Sequence, residues 1–256
     1  SDAGEHHYPG TYIAGCYNRR ISHVAGHDIE NESLVNMPNW LSLRVAPEGE
    51  GVLCADDGEV LECRRQMDIA RGVLTRTLRL RHGDGRVTRM VDRRFAHMGR
   101  RHLGGLELEV VPENWSGRIT VATAVDGNVS NAQVKRYQQL DNQHLKPLCR
   151  GAEGEMVWVQ METNQSGIRV AAAARTRVFV NGSAVGPRRR NLLEDGYAGQ
   201  EMSLELDRGD RLSVEKLAAL YTSRDRGNSA RYFLCGIKVN IAFQHSDFLA
   251  CFLIIS

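Results

Sequence analysis

Hydrophobic and polar residues alternate along much of the chain with the period of a β-strand. Six segments of five to eight residues show this pattern, at 40–45, 73–80, 106–110, 117–123, 156–161 and 202–206. Successive side chains of a strand point to opposite faces of its sheet, so these runs predict strands with one buried face. Arginine and threonine are frequent at the other positions, as in Thr75–Thr77, and they suit the wet face of an antiparallel sheet.

Glycine-containing turn signals separate the predicted strands. They occur at 47–51, 56–58, 82–85, 126–127, 181–182 and 208–210. Several contain Asp-Gly or Asn-Gly pairs, which suit the tight primed turns of β-hairpins. No convincing helical pattern exceeds about two turns, and a parallel α/β fold needs crossovers of about a dozen residues. The pattern therefore predicts an all-β fold, a large antiparallel sandwich.

Composition excludes several classes of partner. The 256 residues are enough for one large domain or two small ones, and 42% hydrophobic with 25% charged residues is ordinary for a globular protein. The net charge of +2 is too small to indicate a nucleic-acid or membrane partner. The polar start, Ser1–Tyr8, has no apolar signal-peptide core, and no run of 18 apolar residues follows. We therefore expect a cytoplasmic protein.

Cysteine and histidine spacing does not indicate a metal site. The six cysteines are far apart and form no CxxC pair, which argues against a disulfide scaffold or structural zinc. Cys16, His23 and His27 would supply three ligands, but the fourth is missing. The sequence favours buried thiols and surface histidines, and it predicts no metal and no cofactor.

Candidate acids and bases are plentiful, but no motif brings them together. The acidic residues considered are Glu30, Glu32, Asp56, Asp57, Glu194 and Asp195. All lie in turn-like or loop-like contexts, where solvated loop charges are the simpler interpretation. The chain has no G-x-S-x-G elbow, no P-loop and no G-x-G-x-x-G motif after a strand. We therefore predict no catalytic residue in this chain.

Two segments near the start, 7–18 and 32–40, are rich in glycine, proline, asparagine and aromatic residues. Amides bond sugar hydroxyls and aromatic rings cover the C–H faces of sugars, so the mixture suits carbohydrate recognition. The same residues also have a structural interpretation, because Asn and Pro set turns and Trp40 would anchor a core. Residue chemistry alone favours the structural interpretation.

The chain resembles the N-terminal domain of glycoside hydrolase family 65, which holds maltose, trehalose and kojibiose phosphorylases and related α-glucosidases. The resemblance rests on PGTYIAGCYN (9–18), ENESLVNMPNWLSLRV (30–45), MDIARGVLTRTLRLR (67–81) and RRFAHMGRRHLGGLELEV (93–110). It continues through 113–131, 165–178 and 214–225. The matching segments occur in the family's order, and together they span about residues 5 to 226.

The resemblance implies a galactose-mutarotase-like β-super-sandwich, followed in the family by a helical linker, a catalytic (α/α)6 barrel and a small β domain. In the phosphorylases a barrel glutamate is the general acid, and the co-substrate inorganic phosphate attacks with inversion. The hydrolases use water and a second carboxylate. We thus expect a non-catalytic N-terminal domain, inactive alone, of an enzyme that acts on α-linked glucose disaccharides such as trehalose, maltose or kojibiose. The alternative is a free-standing carbohydrate-binding or interaction module, although only three tryptophans are present.

The resemblance also implies domain limits. We expect the family domain at 1–226, beginning inside the domain without its first strands, and an atypical hydrophobic tail at 227–256, with the barrel absent. The tail has only three charged residues and four of the six phenylalanines. It is either a last pair of strands or the product of a frameshift, an intron read-through or a damaged gene end, and we favour the latter.

Site residues are expected where the motif is densest. We predict that four residues lie on loops facing the barrel: Tyr12, Asn36, Asn39 and Trp40. The disaccharide is expected to bind through the barrel. A homodimer is a further expectation.

Overall fold

The computed structural model describes residues 10–53, 58–131 and 142–225. Within these ranges the chain forms fifteen β-strands and no helix. The strands are β1 (Thr11–Val24), β2 (His27–Met37), β3 (Leu43–Pro47), β4 (Glu59–Asp68), β5 (Val73–Arg81), β6 (Val87–Ala96), β7 (Leu103–Pro112), β8 (Gly117–Asp126), β9 (Leu145–Glu153), β10 (Met156–Thr163), β11 (Arg169–Val180), β12 (Ser183–Val185), β13 (Arg189–Glu194), β14 (Tyr197–Leu206) and β15 (Leu212–Thr222).

The strands form two sheets and a two-stranded arm. The large sheet has the order β4-β5-β6-β7-β15-β11-β10-β9, with short β12 paired to β11. The smaller sheet has the order β13-β14-β8-β3, and β1 pairs with β2 to form the arm. All paired strands are antiparallel. The predicted all-β antiparallel sandwich is confirmed.

Side-chain alternation in β15 explains why the two sheets pack together. Leu212 and Val214, which share one face of the strand, join a buried cluster that includes Ile119 and Val121 of the smaller sheet. Leu217, from the odd-numbered positions of β15, belongs to a separate cluster on the opposite face of the large sheet. The large sheet is therefore apolar on both faces near its centre, and the smaller sheet covers one of them.

The predicted hairpin turns are present at two positions. Asn181 and Gly182 both have positive φ angles, 52° and 81°, and they connect β11 to β12 as a primed turn requires. Gly85 has a φ of 87°, and its N–H donates a 3.0 Å hydrogen bond to the carbonyl of His82 between β5 and β6. These turns use glycine for the backbone conformation that it adopts more readily than other residues.

The structure differs from the sequence-based expectations at two places. The expected domain limits fall outside the described residues. β3 begins at Leu43, so Trp40 precedes the strand that it was expected to open. β1 and β2 are long strands, although their glycine, proline and asparagine content favoured loops. The predicted boundary at residue 226 and the atypical segment 227–256 lie outside the described residues.

A buried lysine connects the two sheets. Lys216 of β15 has no exposed surface, and its Nζ donates hydrogen bonds to the carbonyls of Ser42 (2.8 Å) and Ala124 (2.7 Å). Ala124 belongs to β8 and Ser42 directly precedes β3, so both acceptors are in the smaller sheet or at its border. Within the described chain no carboxylate forms an ion pair with Lys216. Burial therefore lowers the pKa of Lys216 to about 7.

Lys216 predicts that stability rises with pH above neutrality. The unfolded lysine keeps a pKa near 10.5, so between pH 7 and 10.5 the unfolded state binds more protons than the folded state. The free energy of unfolding should then increase by about 2 kcal/mol from pH 7 to pH 9. Urea denaturation at the two pH values measures this change, with Lys216→Met as the control that lacks it. An equal pH dependence in both proteins would contradict the prediction.

Candidate functional site

A cleft of about 100 Å³ opens beside β3, the edge strand of the smaller sheet. One wall comes from the segment 41–45, and the other from the inner face of β5, β6 and β7. The smaller sheet has four strands and the large sheet has nine, and β3 lies at the edge of the smaller one. Its apolar lining includes Leu41, Leu43, Val45, Met90, Leu106 and Leu108.

Four charged side chains line the same cleft, which we call the arginine cleft: Arg44, Arg76, Asp92 and Arg94. The register places Arg76 of β5 directly opposite Asp92 of β6. The Asp92 carboxylate accepts a 2.5 Å hydrogen bond from Arg76 Nε, and its other oxygen lies 3.7 Å from Arg94 Nη2. Three guanidinium groups and one carboxylate give the arginine cleft a formal charge of +2.

Arg94 has hydrogen-bonding capacity that the described residues do not use. Its Nε is buried and has no hydrogen-bond partner among them. A separation of 3.7 Å from Asp92 is too long for a hydrogen bond, so this contact is only an ion pair. A buried donor without an acceptor costs about 1–3 kcal/mol. The side chain as a whole is 37% exposed, so the Nη groups are the donors that an oxygen ligand can reach.

Tyr12 and Asn36, two of the predicted site residues, lie directly opposite each other on β1 and β2 rather than on loops. Tyr12 is 43% exposed, whereas Asn36 is 7% exposed. The Asn36 side chain accepts a hydrogen bond from Thr11 N–H (3.1 Å) and donates one to the carbonyl of Ser130 (3.2 Å). Its backbone N–H donates to Asn131 Oδ1 at 3.0 Å. Asn36 thus fastens the arm to the segment that follows β8.

Asn39 and Trp40 lie in the connection between β2 and β3. Asn39 is exposed, and its backbone exchanges two hydrogen bonds with Asp126 at 2.6 and 3.0 Å. Trp40 is only 9% exposed, and its ring packs on Gly104 of the large sheet. The structure therefore brings Asn36 and Asn39 to segment 126–131, leaves Tyr12 exposed opposite Asn36, and buries Trp40 in the core. Their role toward a substrate stays a prediction.

The close contact between Trp40 and Gly104 is testable. A Cβ on Gly104 would lie 2.8 Å from two ring atoms of Trp40, closer than packed carbon atoms allow. Gly104→Ala should therefore lower the free energy of unfolding by about 2 kcal/mol, as overpacked cores do. Urea denaturation followed by tryptophan fluorescence measures it. Gly83→Ala is the control, because no atom lies within 4 Å of the position that its new methyl group would take. Equal stabilities of the two variants would refute the packing account.

The candidate acidic residues are dispersed over the surface. Glu30 and Glu32 lie on β2, not on a loop, and both approach Arg19, at 3.7 and 3.4 Å. Asp195 pairs with Arg150 at 2.5 Å. Glu194 ends β13, and residues 56–57 lie outside the described ranges. Exposed pairs of this kind contribute little to stability, typically about 0–1 kcal/mol.

The candidate metal ligands lie in different environments, one buried and one exposed. Cys16 is 1% exposed, and burial raises the pKa of its thiol. His23 is exposed near the tip of the arm, where its Nδ1 lies 2.8 Å from Asp28 Oδ1. Across the residues that the structure describes, no group of three or more His, Cys, Asp or Glu side chains is placed to hold a metal ion. The same residues include no helix long and apolar enough to cross a membrane.

Sequence reasoning missed the arginine cleft. Arg76 was interpreted as part of a wet sheet face, because arginine and threonine surround it in β5. A signal was available in β6, where Met90, Asp92 and Arg94 occupy alternate positions, so the two charged residues share one face with an apolar residue. The pairing of Arg76 with Asp92 still required the strand register, which the sequence does not provide.

An aromatic side chain, that of Trp158, lies on the face of the large sheet that the smaller sheet does not cover. Trp158 of β10 is only partly buried, while Trp40 and Trp115 are 9% and 6% exposed. The ring of Trp158 lies over Gly151 of β9, where a Cβ would come within 2.2 Å of Cζ2. Trp158 is therefore the tryptophan that a ligand in solution can reach.

Comparisons with known proteins establish the family. Residues 1–240 match the family model described as glycosyl hydrolase family 65, N-terminal domain. The chain is 41% identical over 225 residues to an uncharacterized glycosyl hydrolase of Mycobacterium tuberculosis, covering 88% of this chain and 17% of that protein. It is 26% identical over 227 residues to a kojibiose phosphorylase of Halothermothrix orenii, covering 87% of this chain and 27% of the relative. The chain therefore belongs to glycosyl hydrolase family 65 and forms its N-terminal domain.

A solved structure supports the fold independently. A protein from the human microbiome, provisionally assigned as a kojibiose phosphorylase, superposes with a TM-score of 0.77 at 13% identity. The alignment covers 96% of this chain and 31% of that structure. The predicted family resemblance and the predicted sandwich are both confirmed. The chain spans 17% to 27% of the length of the two relatives described above.

Proposed function

We propose that the chain is a non-catalytic accessory domain of an α-glucoside phosphorylase or hydrolase that acts on disaccharides such as trehalose, maltose or kojibiose. One observation carries the proposal: the chain matches the family's N-terminal domain, and the kojibiose phosphorylase relative contains this domain as 27% of its length. Catalysis would then belong to the remaining part of such an enzyme. Its disaccharide would bind through the barrel, and a phosphorylase would use inorganic phosphate as co-substrate.

The physical role of such a domain is to provide a rigid surface beside the barrel. The arm is fixed to the sandwich by Asn36, and the β2–β3 connection is fixed by the backbone bonds of Asn39 to Asp126. The Tyr12 ring on the arm and the Asn39 amide in the connection are both exposed. We propose that the arm and the connection face the barrel in a cytoplasmic enzyme, and that the assembled enzyme forms a homodimer.

Asn39→Ala tests the proposed orientation. In a full-length enzyme that contains this domain, the substitution should raise the KM for the disaccharide several-fold, because a polar contact to the sugar or to the barrel is lost. The melting temperature should stay unchanged, since the Asn39 side chain bonds only the nearby Leu41 N–H within the described chain.

Ser203→Ala is the matched control for Asn39→Ala. Its hydroxyl is also exposed and makes one hydrogen bond, to the hydroxyl of Thr120 on the neighbouring strand β8. Steady-state kinetics and thermal denaturation of both variants provide the readouts. A lower melting temperature with an unchanged KM would assign Asn39 a structural role instead.

The partly exposed Trp158 favours one alternative, a free-standing carbohydrate-binding module. Trehalose, maltose and kojibiose can each be titrated into the 256-residue chain while tryptophan emission is recorded. The accessory-domain proposal expects no saturable change. A saturable change that disappears in Trp158→Phe would support the binding module, because the other two tryptophans are buried.

A further inference from the structure

We propose that the arginine cleft binds a phosphate oxyanion, supplied either by inorganic phosphate or by the phosphate group of a sugar phosphate. The proposal rests on the charge, the unused hydrogen-bond donor and the size of the cleft. It does not depend on the proposed catalytic role of a parent enzyme.

Charge complementarity favours phosphate over a carboxylate. Arg44, Arg76 and Arg94 line the cleft, and Asp92 is the acidic side chain among its lining residues, which leaves a formal charge of +2. A phosphate monoester has a charge of about −1.5 to −2 at neutral pH, and a carboxylate only −1. Guanidinium groups also match the geometry of phosphate oxygens, with which they form paired, charge-assisted hydrogen bonds.

The donors differ in how firmly they are held. The Asp92 carboxylate, 8% exposed, fixes Arg76 through the 2.5 Å hydrogen bond to its Nε. Arg94 is not fixed in this way, because its nearest approach to Asp92 is 3.7 Å and its buried Nε has no partner among the described residues. Arg44 is exposed and forms no hydrogen bond or ion pair with a described residue. Arg76 would thus position the anion, while Arg94 and Arg44 would close around it.

The size of the cleft limits what can enter it. Pockets for drug-sized ligands have volumes of about 300–1,000 Å³, and this cleft has about 100 Å³. One phosphate group fits such a space, and the ring of a sugar phosphate would remain outside. Leucine and valine side chains border the arginines, and this apolar lining lowers the local dielectric constant, which strengthens each charge contact.

Isothermal titration calorimetry of the 256-residue chain tests the proposal. Inorganic phosphate and glucose 1-phosphate are titrated separately at constant ionic strength, with sodium chloride as the balancing salt. We expect saturable binding at one site, weakened about tenfold or more in Arg94→Gln and in Arg44→Gln, since each loses a charge-assisted contact. Equal affinities for the two ligands would identify the phosphate group alone as the ligand, and tighter binding of glucose 1-phosphate would identify a sugar phosphate.

Arg81→Gln is the matched control. Arg81 forms an exposed ion pair with Glu59 at 2.6 Å and does not line the cleft, so its substitution should leave binding unchanged. Arg44→Gln keeps the test decisive if Arg94→Gln does not fold, because Arg44 makes no bond on which the described fold depends. Absence of saturable binding, or equal weakening in Arg81→Gln, would overturn the proposal.

Discussion

The buried amino group of Lys216 connects the large sheet to the smaller one. A lysine without solvent contact loses its hydration, and hydrogen bonds to the carbonyls of Ser42 and Ala124 replace part of it. Such a group is costly, and its two short bonds are satisfied only at one separation and one relative position of the sheets. Ser42 lies between Leu41 and Leu43, which line the arginine cleft, so Lys216 also positions that wall.

The segment 36–45 shows how one stretch of sequence serves several parts of the fold. Asn36 fastens the arm, Trp40 fills the core over Gly104, and Arg44 faces the cleft. These roles follow from a chain that leaves β2, buries Trp40 against the large sheet and enters β3 at the edge of the smaller sheet. The dense family motif at 30–45 therefore has a structural explanation that is independent of any contact with a sugar.

Much of the fold could be predicted from the sequence because strand alternation and turn chemistry are local. The turn at Asn181-Gly182 and the strand at Val73–Arg81 are examples. Long-range features were not predictable. Lys216 lies among apolar residues that fit an ordinary strand, and only the stacking of two sheets makes it buried. β1 and β2 were missed because most of their length is polar. The buried positions of β1 include Asn18 and Ser22, so no alternation of apolar and polar residues marks this strand.

The most direct test of the accessory-domain account is an activity assay of the 256-residue chain itself. Kojibiose, trehalose and maltose are each incubated with the purified chain, with and without inorganic phosphate, and released glucose is measured beside a full-length family enzyme. A non-catalytic accessory domain should release no glucose above the buffer control under either condition. Glucose release that increases with the concentration of the chain and is lost on heat denaturation would contradict that account.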